Sequence, residues 1–433
     1  MKKILLFIIL SLLFLPALSY AASVEKITWD DIVKQTNDFN PSIRTAKFQL
    51  ENAKQAYNRA LGGFLPDVSL NAAAGQSGGD SVNQATGQII ANSAFSRNYS
   101  YGLNASLSIF SGFDTYNEVK QRSAEMNSAQ VSYNRAVSDA AFSVESQYIN
   151  LMWAYETVDM LRQILERRNE NRDMVKLKYD SGNVDEGSLK RVEADVELAS
   201  FNLKQARRYV ETASAALLSA IGRNDDVILN TDERIALKER ELNRPDFNTL
   251  LSVIPEFQIA QYGVDSYRAQ LSRTKSQWWP QLSAAGSLSR YNNEWAPNKT
   301  GWNVGLSLSY PLFSGGATVA DTNISSNLLK IAEENMKKVI TSLRASAISY
   351  YNNMSDSVEI VSVREFYLNA AQLQAEISSR KYVNGLATYQ EWYQIESDYI
   401  SSQISFIDSK RNAASSKAQW YNFLGQGFIE PGK

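Results

Sequence analysis

The sequence predicts an α+β membrane protein, mainly long coiled-coil-like α-helices together with four membrane-length β-strands per chain, built by internal duplication. Three observations lead there. Short motifs recur at a constant offset. Four segments alternate apolar with small polar residues. After each strand pair, the apolar period lengthens from two residues to seven.

The amino terminus comes first. Lys2 and Lys3 precede an apolar run from Ile4 to Leu15, broken by Ser11 and ended by Pro16, and small residues follow at 19–22. This is the pattern of a signal peptide, with cleavage expected after Ala21 or Ala22. The 12-residue apolar core is too short for a spanning helix, which needs about 20 residues. Residues 1–22 are therefore assigned to export, and no cysteine offers a lipid attachment point.

The duplication organises the remainder. Phe110-Ser111-Gly112 returns as Phe313-Ser314-Gly315, Lys178-Tyr179 with Gly182 as Lys381-Tyr382 with Gly385, and Ile221-Gly222 as Leu424-Gly425, each 203 positions later. Upstream, Pro41 matches Pro255 and Pro66 matches Pro280 at an offset of 214. The first copy therefore carries 11 extra residues between Pro66 and Phe110, within the Gly-rich polar stretch that begins at Gly75. The units are a first repeat at 23–222, a linker at 223–253, a second repeat at 254–425 and a tail at 426–433.

Each repeat reads as the same series of elements. A helix over 42–62 ends at Gly62-Gly63. Val68, Leu70, Ala72 and Ala74 then alternate with Ser69, Asn71 and Ala73, and Tyr99, Tyr101, Leu103, Ala105, Leu107 and Ile109 alternate with small polar residues. The second copy does so at Leu282, Ala284, Gly286 and Leu288, and at Trp302, Val304, Leu306, Leu308 and Tyr310. These are strands with one apolar face, about as long as the 9–11 residues a tilted strand needs to cross a bilayer. Beyond Phe-Ser-Gly, Val137, Val144, Leu151, Val158 and Leu165 recur every seventh residue, with Ala141, Tyr148 and Tyr155 alongside, as in a coiled coil. Asp114 to Tyr179 contains neither Pro nor Gly and as a helix spans about 100 Å. A turn at 180–183 and a returning helix from about Gly187 to Ala220 complete the unit.

Composition excludes much. Without Lys2 and Lys3 the chain holds 42 basic and 46 acidic residues and no basic block, so no nucleic-acid partner is expected. It has no Cys and no His, which removes thiolate nucleophiles, disulfides, Ser-His-Asp triads and the usual zinc ligands. No cofactor, metal site or catalytic residue is predicted, and an enzyme has no motif to rest on. Four strands cannot close a membrane barrel, since such barrels start at eight. The barrel must be shared between chains, as a dimer of eight strands or a trimer of 12, with apolar residues toward lipid and Ser, Asn and Gly toward a water-filled lumen.

Taken in order, Asn40-Pro41, Phe64-Leu65-Pro66, Trp278-Trp279-Pro280, the two Phe-Ser-Gly motifs and the turns Lys178-Tyr179-Asp180-Ser181-Gly182 and Lys381-Tyr382-Val383-Asn384-Gly385-Leu386-Ala387 are similar to those of the TolC-like outer-membrane efflux and secretion channels. The resemblance covers nearly all of the chain after the leader. It implies a homotrimer with a 12-stranded β-barrel in outer-membrane lipid, a Gram-negative host, and a helical periplasmic tunnel. It also implies a periplasmic adaptor (membrane fusion) protein and an inner-membrane pump of RND or ABC type, as in tripartite efflux or type I secretion. By the same resemblance, Gly182, Asn183, Val184, Gly385, Leu386 and Ala387 dock the adaptor, and Asp185, Glu186, Ser188, Glu391 and Gln394 surround the periplasmic entrance. The sequence departs from the family pattern at Gln394, where a second carboxylate is expected, and at Ala387, where a basic residue is common. Residues alone leave a plainer reading open: Gly182 and Gly385 as left-handed helix caps, and the acids as helix N-terminal charges. The alternative for the whole chain is a soluble periplasmic coiled-coil or adaptor protein, which leaves the four amphipathic strands unexplained.

Overall fold

The computed structural model describes residues 23–78, 81–82, 89–90, 96–235 and 244–428. The expected signal peptide and the end of the expected tail lie outside them. In chain order the elements are β1 (Ser23–Lys26), α1 (Trp29–Phe39), α2 (Pro41–Gly62), β2 (Asp67–Ser77), β3 (Ser81–Val82), β4 (Ile89–Ile90), β5 (Ser96–Phe110), α3 (Asp114–Asp180), α4 (Glu186–Ile221), β6 (Val227–Asn230), α5 (Phe247–Leu250), α6 (Pro255–Thr274), β7 (Gln281–Asn292), β8 (Lys299–Ser309), α7 (Ala317–Val383) and α8 (Tyr389–Phe423). Helices α3 and α7 each run 67 residues, and their starts and ends are 203 positions apart. Between β2 and β5 the short pair β3–β4 occupies the region of the expected insertion, which is thus not wholly irregular.

The Phe-Ser-Gly motif acquires a mechanism. Ser111 Oγ accepts from the Thr115 amide and Ser314 Oγ from the Thr318 amide, capping the helices that follow. Gly112 and Gly315 both sit at φ +65°, the left-handed conformation that turns strand into helix. At Gly112 the turn also needs the missing side chain, because a Cβ would lie 2.5 Å from the Ser276 carbonyl oxygen.

Two compact units result, and neither is a repeat. One comprises residues 1–43, 137–244 and 349–433, the other 44–136 and 245–348, so each draws on both copies. In the second unit β2, β5, β7 and β8 form an antiparallel sheet in that order. Arg273 of α6 pairs with Asp114 and Glu118 at the start of α3.

In the first unit the predicted heptad face is the core. Val144, Tyr148, Leu151 and Val158 are buried in one cluster with Leu217, Ile221 and Leu229, Ala141 is buried as well, and Trp29 stacks on Tyr148 at 5.7 Å. The segment expected as a linker contributes to this core. Its strand β6 pairs in parallel with β1, and Tyr155 donates to the Leu229 carbonyl at 3.0 Å. Arg223 closes the arrangement by reaching Glu25, Gln35 and Asp225. The first residues of the expected tail are also held, since Ser138 donates to the Gln426 carbonyl and Phe428 packs edge-on to Trp29.

Glu145 is buried on α3, and burial raises its carboxyl to about 8 against the opposing pull of the Lys417 charge. The fold favours the neutral acid, so this contribution to stability is complete below the ordinary carboxylate value and is lost as pH rises through about 8. Glu145→Gln is expected to flatten the fall in thermal stability between about pH 5 and pH 9 and to stabilise the alkaline protein by on the order of 3 kcal/mol. An unchanged pH profile in detergent would show that the carboxyl titrates normally.

Candidate functional site

In the sheet unit, the register decides what the strands can do. Leu70, Leu103, Leu288 and Trp302 lie side by side across all four strands, and the next row on that face is Val68, Ala105, Gly286 and Val304. The opposite face carries Ser69, Asn104, Ser287 and Asn303, then Asn71, Gly102, Ser289 and Gly301. Across these rows one face is therefore apolar and the other small and polar, and Ser287 donates across the polar face to Asn303 at 2.7 Å. The strands run 11, 15, 12 and 11 residues, enough to cross a bilayer when tilted. The apolar face is exposed, and β2 and β8 each keep an edge with no strand partner among the described residues.

Aromatic side chains cluster at the sheet ends. Phe110, Phe113 and Trp279 make edge-to-face contacts at 5.2 and 5.9 Å at one end, where Trp278 and Tyr310 are also exposed. Tyr99 meets Trp295 at 5.6 Å at the other. Such rings suit membrane–water interfaces. Trp302 instead sits inside the apolar band, opposite Leu288. No described helix is long and apolar enough to cross a membrane.

In the other unit the two helix turns repeat one backbone solution. Gly182 and Gly385 take φ +76° and +73°, and the Asn183 and Leu386 amides reach back to the carbonyls of Lys178 and Lys381, both at 2.8 Å. This is the Schellman ending of a helix, which only a residue without Cβ adopts at no cost. Asn183 and Leu386 are exposed, Leu386 to 76%. Val184 and Ala387 instead turn inward, packing on a buried cluster of Val175, Leu189, Val192, Tyr382 and Trp392.

The expected entrance residues are helix caps as well. Asp185 caps α4, accepting from the Ser188 amide at 2.9 Å and its hydroxyl at 2.7 Å, and these bonds hold its carboxyl below the ordinary range. Glu391 forms a reciprocal capping box with Thr388, whose amide and hydroxyl likewise lower its carboxyl. Glu186 is exposed in the first turn of α4, and Gln394 donates to Asp398 within α8. Ser188 alone of these links the turns, its carbonyl accepting from Tyr389 at 3.3 Å.

Sequence reasoning missed the interactions that bind the two helix pairs together. Arg167 of α3 makes a bidentate pair with Glu396 of α8 at 2.7 and 2.8 Å, and Asn171 donates to the same carboxylate at 3.2 Å. Glu396 is fully buried, while Arg167 also lies 4.9 Å from the Tyr399 ring centre. Nearer the turns, Tyr382 stacks on Trp392 at 4.8 Å, and Tyr393 donates to Asp195 while accepting from Arg191. Nothing in the apolar period distinguishes Glu396 from a solvated helical acid.

Comparison with known proteins identifies what carries this geometry. The profile of the outer membrane efflux protein family matches residues 32–223 and 248–426. The cation efflux system protein CusC of Escherichia coli (strain K12) is 20% identical over 407 residues, covering 90% of this chain and 84% of CusC. The alkaline protease secretion protein AprF of Pseudomonas aeruginosa is 23% identical over 262 residues, 54% of this chain and 53% of AprF. The crystal structure of the Campylobacter jejuni CmeC outer membrane channel superposes with a TM-score of 0.79 at 17% identity, covering 96% of this chain and 92% of that one, so the fold is shared. The soluble-adaptor alternative is thereby set aside: the chain belongs to the outer membrane efflux protein family, and it is an outer-membrane channel protein.

Proposed function

We propose that three copies share one 12-stranded barrel and that the protein conducts exported cargo, delivered by a periplasmic adaptor and an inner-membrane pump, out through the outer membrane. The carrying observation is the sheet whose apolar rows run across all four strands and whose two edges have no strand partner among the described residues. An unpaired backbone group in hydrocarbon costs several kcal/mol, so edge must meet edge in the membrane, and three sheets supply 12 strands. The relatives' names join this family both to cations and to a protease. This supports placing cargo selection in the pump, with the duct as a passive conduit and no catalytic chemistry of its own.

The exposed turn residues Gly182, Asn183, Gly385 and Leu386 are proposed to meet the adaptor, with Val184 and Ala387 setting the shape beneath them. Asp185, Glu186 and Glu391, tripled by the symmetry axis and with Ser188 and Gln394 beside them, are proposed to form a cation-favouring entrance.

Native mass spectrometry of the detergent-solubilised protein is expected to give three chains; a stable monomer would overturn the shared barrel. Glu391→Gln keeps a capping side chain at that position but removes its charge, and is expected to lower cation over anion selectivity in planar bilayers. Unchanged selectivity would leave Glu391 as a cap and nothing more. Gly385→Val is expected to abolish export while leaving barrel assembly intact, whereas loss of the trimer would show that the turn serves folding alone.

A further inference from the structure

The 203-residue offset turns contacts within the chain into expectations for contacts that the single chain leaves unmade. Within the chain, α8 lies on α3. Trp153 donates to Asp408 at 3.0 Å, Lys410 bonds Glu156 at 2.8 Å, and the Arg411 guanidinium lies 4.5 Å from the Trp153 ring centre. Advancing the α3 residues by 203 places Asp356 and Glu359 on α7 where Trp153 and Glu156 stand on α3. Moving the α8 residues back by 203 places Arg207 and Arg208 on α4 where Lys410 and Arg411 stand on α8. All four are exposed, and the two acids lie on the face equivalent to the one that α3 offers to α8. The Glu156–Lys410 pair thus reappears as Glu359 and Arg207 with the same order of charge, and the cation over an aromatic ring reappears as Arg208 with Asp356.

The apolar residues follow the same rule. Met160, in the filled groove, is 8% exposed, whereas its equivalent Val363 on α7 is 44% exposed. Val363, Phe366, Leu373 and Ile377 form an exposed seam at near-heptad spacing, and α4 presents Leu198 and Phe201 beside its two arginines. One chain therefore carries both halves of a groove-and-helix contact on different helices, the arrangement that generates a head-to-tail ring from identical subunits.

One contact does not survive the offset. Arg167 corresponds to Ala370, and buried Glu396 to Glu193, which is only half-buried and paired with Lys190 of its own helix at 2.9 Å. If α8 settled on α7 of another copy, Glu396 would face Ala370 and be buried without a cation, at heavy cost. Helix α4 brings Glu193 to the equivalent place, but that carboxylate already has its cation in Lys190 of the same helix. The pseudo-symmetric grooves are therefore not interchangeable, and the difference lies in a penalty against the wrong partner.

We infer that α4 of one copy docks on α7 of the next, with Arg207 and Arg208 meeting Glu359 and Asp356, and that Arg167 with Glu396 reserves the equivalent in-chain groove for the chain's own α8. The inference rests on the shared barrel proposed above and names the helical surface through which the copies meet.

Charge reversal tests the docking face by native mass spectrometry in detergent. Glu359→Lys and Arg207→Glu are each expected to lower the trimer fraction roughly tenfold, and the double variant to restore it. A trimeric unsubstituted protein with two indifferent single variants, or without rescue in the double, overturns the seam alone. A monomeric unsubstituted protein overturns the shared barrel and the seam with it. The sorting role is tested in the naturally cysteine-free chain by placing Trp153→Cys and Asp408→Cys together and bridging them with a short bis-maleimide. Links within one chain are expected in the otherwise unsubstituted protein. Adding Arg167→Met and Glu396→Leu, which keeps the site filled, is expected to lower the yield of these links while the trimer persists, because α8 then also settles on α7, where position 408 faces Asp356. An unchanged yield would show that the pair stabilises the groove without selecting its occupant.

Discussion

Hydrocarbon offers no hydrogen-bond partner, so every backbone group that enters it must be satisfied by protein, and the organisation of this chain follows from that constraint. Four strands satisfy one another internally but leave the outer edges of β2 and β8 without a strand partner among the described residues. Alternation along each strand gives an apolar face only because antiparallel register aligns Leu70, Leu103, Leu288 and Trp302 in one row. A slip of one residue between any two strands would carry part of that row to the polar face. The proposed barrel thus depends at once on register within the chain and on pairing beyond it.

The helices meet a different demand. Two copies of one helical pair must pack together without exchanging places, although their apolar patterns are nearly the same. A wholly apolar groove would accept either occupant. The Arg167–Glu396 pair, with Asn171 donating to the carboxylate, is directional and satisfied in one arrangement. Buried ion pairs are weak contributors to net stability, because desolvation offsets most of the attraction, and their better-attested use is to fix which elements meet.

At the helix turns, the side chains proposed to line the entrance are first of all helix caps. Asp185 and Glu391 accept from the amides of Ser188 and Thr388 at the starts of α4 and α8, which holds both carboxyls below their ordinary range. A carboxylate pinned by its own helix cap has a fixed position as well as a fixed charge, which suits a charged ring around an axis. The inward Val184 and Ala387 and the outward Asn183 and Leu386 likewise divide one turn into a supporting and a presenting half.

The sequence by itself determined whatever repeats over short range. Period-two strands, heptads along α3, the Phe-Ser-Gly turns and the offset of 203 all come from local preferences of side chain and backbone, so they are legible without coordinates, and they set the strand and helix pattern. Gly182 and Gly385 were legible as caps for the same reason. Only the tertiary structure decided which distant segments meet. The parallel pairing of β1 with β6, which gives the expected linker a strand, joins segments about 200 residues apart. The division into two units that each take part of both repeats, and the burial of Glu396 against Arg167, are of the same kind. A buried acid and a solvated one look alike in a helical sequence, because burial is a property of the neighbours that folding supplies.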